Sequence, residues 1–312
     1  MTTRLLALAQ ILLLAACCTA AESETAIRLG ETKTSRWRIG VVVRAPAGAV
    51  TGILATSAVP MDWPEQKVTV VAEEKSANVD RLSYRVLDGG VKQMIVSIGK
   101  LAAGEEAAAI VTFEVQKSQI LEPLQSAGLT PPKPSRELAK FLLASPYIES
   151  ADPQVKKLAA EISAGRTAGW EQAAALFDWT RTNVKYEFAE QIKPAVEALR
   201  DGVGDCEELS SLFIALCRAS KIPARAVWVP GHTYPEFYLQ DAQGRGAWFP
   251  CQAAGAERQF GSMVEDRPIL QKGDNFKIPE ERAPQRYAKQ FLSAKNAVAN
   301  PEVKFILERV AE

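Results

Sequence analysis

The sequence predicts an α+β protein in which an all-β sandwich precedes a unit of helices and then antiparallel strands. Three observations predict it. Between residues 27 and 120 apolar residues recur on alternate positions in short runs, the period of half-buried strands. From about residue 151 the spacing becomes three and four, the period of helices packed by one face. After residue 224 alternation returns in three closely spaced runs. Helices followed by strands in hairpin order make an α+β layer.

The composition supports a real core. The chain has 312 residues, 47% apolar and 24% charged, enough for one or two domains. Lys plus Arg, 37, equals Asp plus Glu, 37. That balance, with no basic block, argues against nucleic acid as a partner. The single histidine, His232, excludes a His-rich metal site. No acidic loop has calcium-ligand spacing, so no cofactor is expected.

Residues 1–21 read as a signal peptide. Arg4 precedes an apolar run, Leu5 to Ala16, too short to span a bilayer. Two cleavage readings stand side by side. Leu14-Ala15-Ala16-Cys17 looks like a bacterial lipobox and would leave a lipid anchor on Cys17, whereas Cys18-Thr19-Ala20 suits ordinary signal peptidase. No later stretch reaches 18 apolar residues, so membrane attachment is expected only through Cys17. The expected location is exported: periplasmic, extracellular or lipid-anchored to the envelope. Cys206, Cys217 and Cys251, with Cys18 if Cys17 is lipidated, do not make a disulfide framework.

The sandwich, residues 27–120, is read from Trp37 to Arg44, Lys67 to Ala72, Arg81 to Leu87, Gln93 to Ile98 and Ala109 to Val115. Asp88-Gly89-Gly90 is a turn between two of these runs. Short strands at this spacing suit a sandwich. Pro60-Met61-Asp62-Trp63-Pro64 reads as a turn with a packed Trp, ahead of a binding loop. Residues 121–150 form a linker. Thr130-Pro131-Pro132-Lys133-Pro134 cannot continue a strand or a helix, and a short helix, Ser135 to Leu143, follows.

Residues 151–275 form the second unit. Asp152 is an N-cap with Pro153 at the first helical position, Val155, Leu158, Ala159 and Ile162 make one face, and Gly165 ends the helix. Trp170, Ala173, Ala174 and Phe177 line a second helix to about Asn183. Pro194 opens a third, and Cys206 to Ser220 is a fourth. Strands follow at Arg225 to Val229, Tyr234 to Leu239 and Ala247 to Cys251, with a hairpin turn at Asp241 to Gly246. Gln271 to Phe276 reads as a surface turn. Residues 276–312 are expected as a helical extension, with helices near 280–294 and 301–311. The last carries Val303, Ile306, Leu307 and Val310 as a stripe.

Chemistry concentrates at Gly202-Val203-Gly204-Asp205-Cys206-Glu207-Glu208-Leu209, a glycine loop entering an amphipathic helix buried through Leu209, Leu212, Phe213 and Leu216. A sulfur in the first helical turn meets free N–H groups and the positive end of the dipole, which predicts a lowered thiol pKa. The same N–H groups suit an oxyanion. Taken alone, Cys206 reads as a small apolar residue at a helix start ahead of a nucleophile. His232, 26 residues on after Pro230-Gly231, is the one imidazole able to take and return the thiol proton. A turn or core histidine is its other reading. Trp170 and Trp179 read as core residues ahead of oxyanion donors, and Glu207 and Glu208 are explained by the helix dipole.

Gly204-Asp205-Cys206-Glu207-Glu208, followed by Cys217-Arg218-Ala219-Ser220-Lys221-Ile222-Pro223-Ala224-Arg225, resembles the transglutaminase-like superfamily. His232-Thr233-Tyr234-Pro235-Glu236-Phe237-Tyr238-Leu239 is similar to that family's His-Ala-Trp-x-Glu-Val-Tyr strand. Trp248-Phe249-Pro250-Cys251-Gln252 stands where the family has Trp-x-Pro-x-Asp. The resemblance covers roughly residues 150–255. It implies a papain-like core with a Cys-His-Asp triad, so the implied catalytic residues are Cys206, His232 and Gln252.

Gln252 stands in place of the family's Asp. Its amide oxygen accepts a hydrogen bond from imidazole but carries no charge. Asp205 or Glu236 is the substitute acid to consider. If Gln252 faces His232, strand alternation turns Cys251 into the core. The implied activity is acyl transfer from a protein or peptide carboxamide through a thioester, with hydrolysis favoured over transfer to an amine. Two other readings remain open: a degenerate enzyme fold acting as an envelope binding or scaffold protein, and Cys206 as a redox thiol pairing with Cys251.

Overall fold

The computed structural model describes residues 27–311; the expected leader, with Cys17 and Cys18, lies outside the described residues. The N-terminal part is all β, as expected: β1 (Arg28–Arg44), β2 (Val50–Val59), β3 (Gln66–Lys75), β4 (Arg81–Leu87), β5 (Val91–Leu101) and β6 (Glu106–Leu121). Alternation explains them. In β1, Trp37, Ile39, Val41 and Val43 are buried, and they face Ile53, Ala55, Met94, Val96 and Ile98 of β2 and β5 across one core.

The helical unit follows. It holds α1 (Arg136–Ala139), α2 (Pro153–Ser163), α3 (Trp170–Asn183), the two-residue strand β7 (Lys185–Tyr186), α4 (Ala195–Asp201), β8 (Val203–Gly204) and α5 (Cys206–Ala219). Asp152 caps α2 by accepting from the N–H groups of Gln154 and Val155. Strands β9 (Ala224–Val229), β10 (His232–Gln240) and β11 (Gly246–Pro250) form an antiparallel meander. Helix α5 packs on β10, with Phe213 edge-on to Phe237 at 6.1 Å between centroids. No helix among the described residues is long and apolar enough to cross a membrane.

Two expectations are corrected. The tail after residue 276 is not a helical extension. It contributes β13 (Phe291–Ser293), β14 (Asn296–Ala297) and β15 (Glu302–Arg309), and β13 and β14 pair with β2. β15 zips antiparallel to β1 from Trp37↔Arg309 to Arg44↔Glu302. The stripe Val303, Ile306, Leu307, Val310 has helical spacing, but Phe305 also lies between, so both periods fit. The open edge of β1 decides in favour of a strand.

Gln271 to Phe276 is not a surface turn either. Gln271–Lys272 is a buried strand, β12, and it joins β9 to β5. One nine-stranded sheet therefore contains the path β11-β10-β9-β12-β5-β2-β13, and the second sheet of the sandwich is β15-β1-β6-β3. The Lys272 N–H donates to the Gly90 carbonyl at 2.7 Å. A side chain at Gly90 would put its Cβ 2.3 Å from the Lys272 oxygen, which is why this turn needs glycine.

Charge reinforces the junction. The Lys272 ammonium, 3% exposed, donates to Glu65 at 2.5 Å and Glu236 at 2.6 Å, and Arg225 donates to the other oxygen of Glu236 at 2.9 Å. The Trp63 ring lies over both cations, so the Pro60 to Pro64 segment is the packed turn expected. Arg218 and Asp274 form a second buried pair at 2.6 Å.

Candidate active site

Short-range geometry aims Cys206. Gly202 closes α4 in the left-handed conformation, at φ 67°. β8 then runs parallel to β7, with Tyr186 opposite Gly204. A Cβ on Gly204 would lie 2.5 Å from the Glu208 Cβ. Asp205 caps α5 by accepting from the Glu207 N–H at 2.8 Å, while Glu208 reaches back to the Asp205 N–H at 2.9 Å. This is a capping box. The second oxygen of Glu208 accepts from the Lys193 N–H at 2.7 Å. Leu209, Leu212, Phe213 and Leu216 are buried as expected.

Cys206 is a partly exposed residue, and the backbone of Thr233, the neighbour of His232, favours its thiolate. Its pKa does not fall. Burial pushes it up to about 11, against the pull of the Thr233 backbone and with help from Asp205, Glu207 and Glu208. The helix-terminus argument is outweighed because the thiol is largely desolvated and has three carboxylates around it, the N-cap Asp205 and Glu207 and Glu208 of the first turn. Burial likewise raises Glu207 to about 7, opposed by the Arg286 guanidinium.

His232 is also partly exposed. Its Nε2–H donates to Gln252 Oε1 at 2.9 Å. An amide oxygen only accepts, so Nε2 carries the proton and Nδ1 keeps its lone pair. Burial lowers the imidazole pKa; the Gln252 bond opposes this and the charge of Arg267 adds to it. The resting pair is a neutral thiol and a neutral imidazole.

Gln252 follows β11, and Cys251 turns inward, fully buried, as alternation requires. Arg181, from the last turn of α3, grips this loop. It donates to the carbonyls of Gln252 at 2.8 Å and Gly255 at 2.9 Å. Arg267 donates to the Pro230 carbonyl, just before the His232 strand, at 2.9 Å and pairs with Glu265 at 2.5 Å. Sequence reasoning missed both arginines. In Arg181 the only signal was a cation at a helix C-terminus, which the dipole explains by itself.

The substitute acids do not reach the ring by hydrogen bond: Asp205 caps α5, and Glu236 is held by Lys272 and Arg225. Trp170 packs against Phe237, Phe249 and Phe260 as a core residue. Cys217 and Cys251 are sealed in the core and burial holds both thiols protonated, which leaves Cys251 poorly placed as a redox partner.

Alkylation of Cys206 by iodoacetamide is therefore expected to be slow at pH 6 and to climb roughly tenfold per pH unit into the alkaline range, because the thiolate is the reacting form. Peptide mass spectrometry reads it, with Cys217 and Cys251 unlabelled while the chain is folded. A plateau already reached at pH 6 would show a resting thiolate instead.

Residues 156–253 match the family model described as the transglutaminase-like superfamily. No curated protein matches the chain in sequence. A solved structure from Cytophaga hutchinsonii, described as a "putative cysteine protease", superposes with TM-score 0.58 at 17% identity, over 89% of this chain and 92% of that one. The two share a fold along nearly their whole lengths. The periplasmic domain of TgpA from Pseudomonas aeruginosa, bound to ethylmercury, aligns with TM-score 0.35 at 15% identity, over 69% of this chain and 89% of that one. A "putative protease" from Parabacteroides distasonis aligns with TM-score 0.28 at 12% identity, over 65% and 60%.

Proposed function

Residues 156–253 are a transglutaminase-like domain, and we propose that it makes the chain a cysteine enzyme that takes the acyl group of a peptide or carboxamide onto Cys206. The observation that carries this reading is the orientation of His232. Its Nε2–H is tied to Gln252 at 2.9 Å, so its basic nitrogen is free, and the backbone of the next residue, Thr233, favours the thiolate form of Cys206.

The chemistry follows from the neutral resting pair. Nδ1 of His232 takes the thiol proton as the sulfur attacks the carbonyl carbon. N–H groups at the start of α5 stabilise the oxyanion. The imidazolium returns its proton to the leaving nitrogen, the carbon–nitrogen bond breaks, and a thioester remains. Water attacks the thioester with His232 again as base, releasing the acid and the thiol. An amine in place of water gives transamidation. Gln252 fixes the ring and its tautomer without adding charge. The leader-like sequence Met1 to Ala21 supports an exported site of action.

Acid quenching during turnover of a peptide amide, followed by intact mass, should reveal an acyl adduct on Cys206. The Cys206→Ala chain should show neither adduct nor turnover. An added primary amine should divert product from acid to amide if transfer competes. Gln252, where the resemblance calls for an acid, favours a second reading: a binding protein on a degenerate fold. A Cys206→Ala chain that keeps its full cellular role would establish it.

A further inference from the structure

The strand pair in front of Cys206 carries an unused feature. β7 pairs with β8 alone, and its outer edge meets no strand among the described residues. The N–H of Lys185 donates to Gly202 at 2.8 Å and that of Glu187 to Gly204 at 2.8 Å. Lys185 and Glu187 thus face β8, and the intervening Tyr186 turns its own N–H and carbonyl outward, as alternation demands. Free backbone groups of this kind template a further strand.

The side chains add a second observation. Tyr186 is 56% exposed and Phe188, two residues on, is 72% exposed. Two aromatic rings held in water at this spacing are costly unless something covers them. Tyr186 stands opposite Gly204, two residues before the sulfur-bearing residue. The edge therefore belongs to the strand that neighbours the one leading into the nucleophile.

We propose that β7 is the substrate-docking edge: an extended peptide adds to it as a strand through the Tyr186 backbone and sets an apolar side chain, on the acyl side of the bond to be cut, against Tyr186 and Phe188. The proposal rests on the catalytic reading above and narrows its substrate to extended peptides with an aromatic or branched aliphatic residue near the scissile carbonyl. Backbone pairing supplies register and the rings supply selectivity. Charge along the segment is balanced, Lys185 and Lys193 against Glu187 and Glu190, and Glu207 is paired with Arg286, so selection falls to the two rings.

The test measures binding without catalysis. Full-length Cys206→Ala protein is titrated with fluorescent acetylated hexapeptides, identical except for Phe, Leu, Lys or Asp at one central position. Phe and Leu peptides should bind at least tenfold tighter than Lys and Asp peptides. Adding Tyr186→Ser and Phe188→Ser should bring all four within twofold while the thermal melt is unchanged. N-methylating the peptide bond that meets the Tyr186 carbonyl should weaken the Phe peptide at least tenfold. Equal binding of all four peptides, or a preference that survives the double substitution, overturns the docking edge. An absent acyl adduct in the Cys206 protein, with peptide preference intact, defeats the catalytic reading and leaves the edge standing.

Discussion

Replacing His232 with alanine is expected to lower peptide turnover by about 10²–10⁴-fold with the fold retained. The ring is partly exposed at the start of β10, so its loss opens no core cavity. What disappears is the base. With the thiol held near 11 by burial and three carboxylates, almost no thiolate exists at neutral pH, and attack depends on the imidazole accepting the proton. Steady-state kinetics at saturating peptide would read the loss in kcat. An unchanged kcat would remove His232 from the mechanism.

The pH dependence has a definite sign. The imidazole pKa lies below its ordinary 6.5, through burial first. The neutral base is present above that lowered pKa, and turnover should fall as pH drops through it. Gln252→Glu, which keeps the side-chain length, would set a carboxylate oxygen where the amide oxygen now lies 2.9 Å from Nε2, raise the imidazole pKa and move the acid limb of the profile upward.

The second large effect is on stability. Lys272→Met is expected to cost about 3–5 kcal/mol, the usual result of removing one member of a buried charge cluster. Lys272 holds Glu65 and Glu236 within 2.6 Å, and deleting the ammonium leaves those carboxylates facing each other without it, deep in the junction. Glu236 shows the opposing forces. Burial raises its pKa, but Lys272 and Arg225 outweigh this and hold it below the ordinary value. In the native chain this contribution is present above the ordinary carboxylate pKa and is lost as pH falls through the lowered one. Urea titrations at pH 7 and pH 4 should show the deficit of Lys272→Met largest at pH 7. A cost under about 1 kcal/mol at pH 7, the range of exposed pairs, would show that the cluster is not what joins the two halves of the sheet.

Much of the candidate site was legible because it is local. The glycine turn and the apolar face of α5 occupy one short stretch, and spacing specifies the turn and the helix. The capping box of Asp205 and Glu208 emerges only in the structure, because the helix dipole by itself accounts for Glu208 in the sequence. The facing of Cys251 and Gln252 followed from a period of two. What stayed hidden is non-local. β12 is two polar residues, Gln271 and Lys272, with no apolar pattern to announce it; its place depends on Gly90, far away in the chain, offering a carbonyl. The thiol pKa was misread because a rule about a helix end knows nothing of burial. The grip of Arg181 on residues 252 and 255 joins segments about seventy positions apart, and no spacing encodes it.

The seam between β1 and β15 has a bearing on how the molecule is made. Trp37 meets Arg309, so the four-stranded sheet of the sandwich is finished only by residues that emerge after the whole helical unit. Folding cannot proceed half by half from the ribosome or a translocon. The opening strand must wait with one flank bare until the last segment arrives. Non-local closure of this kind slows folding, and a chain truncated before residue 302 should expose that flank and self-associate.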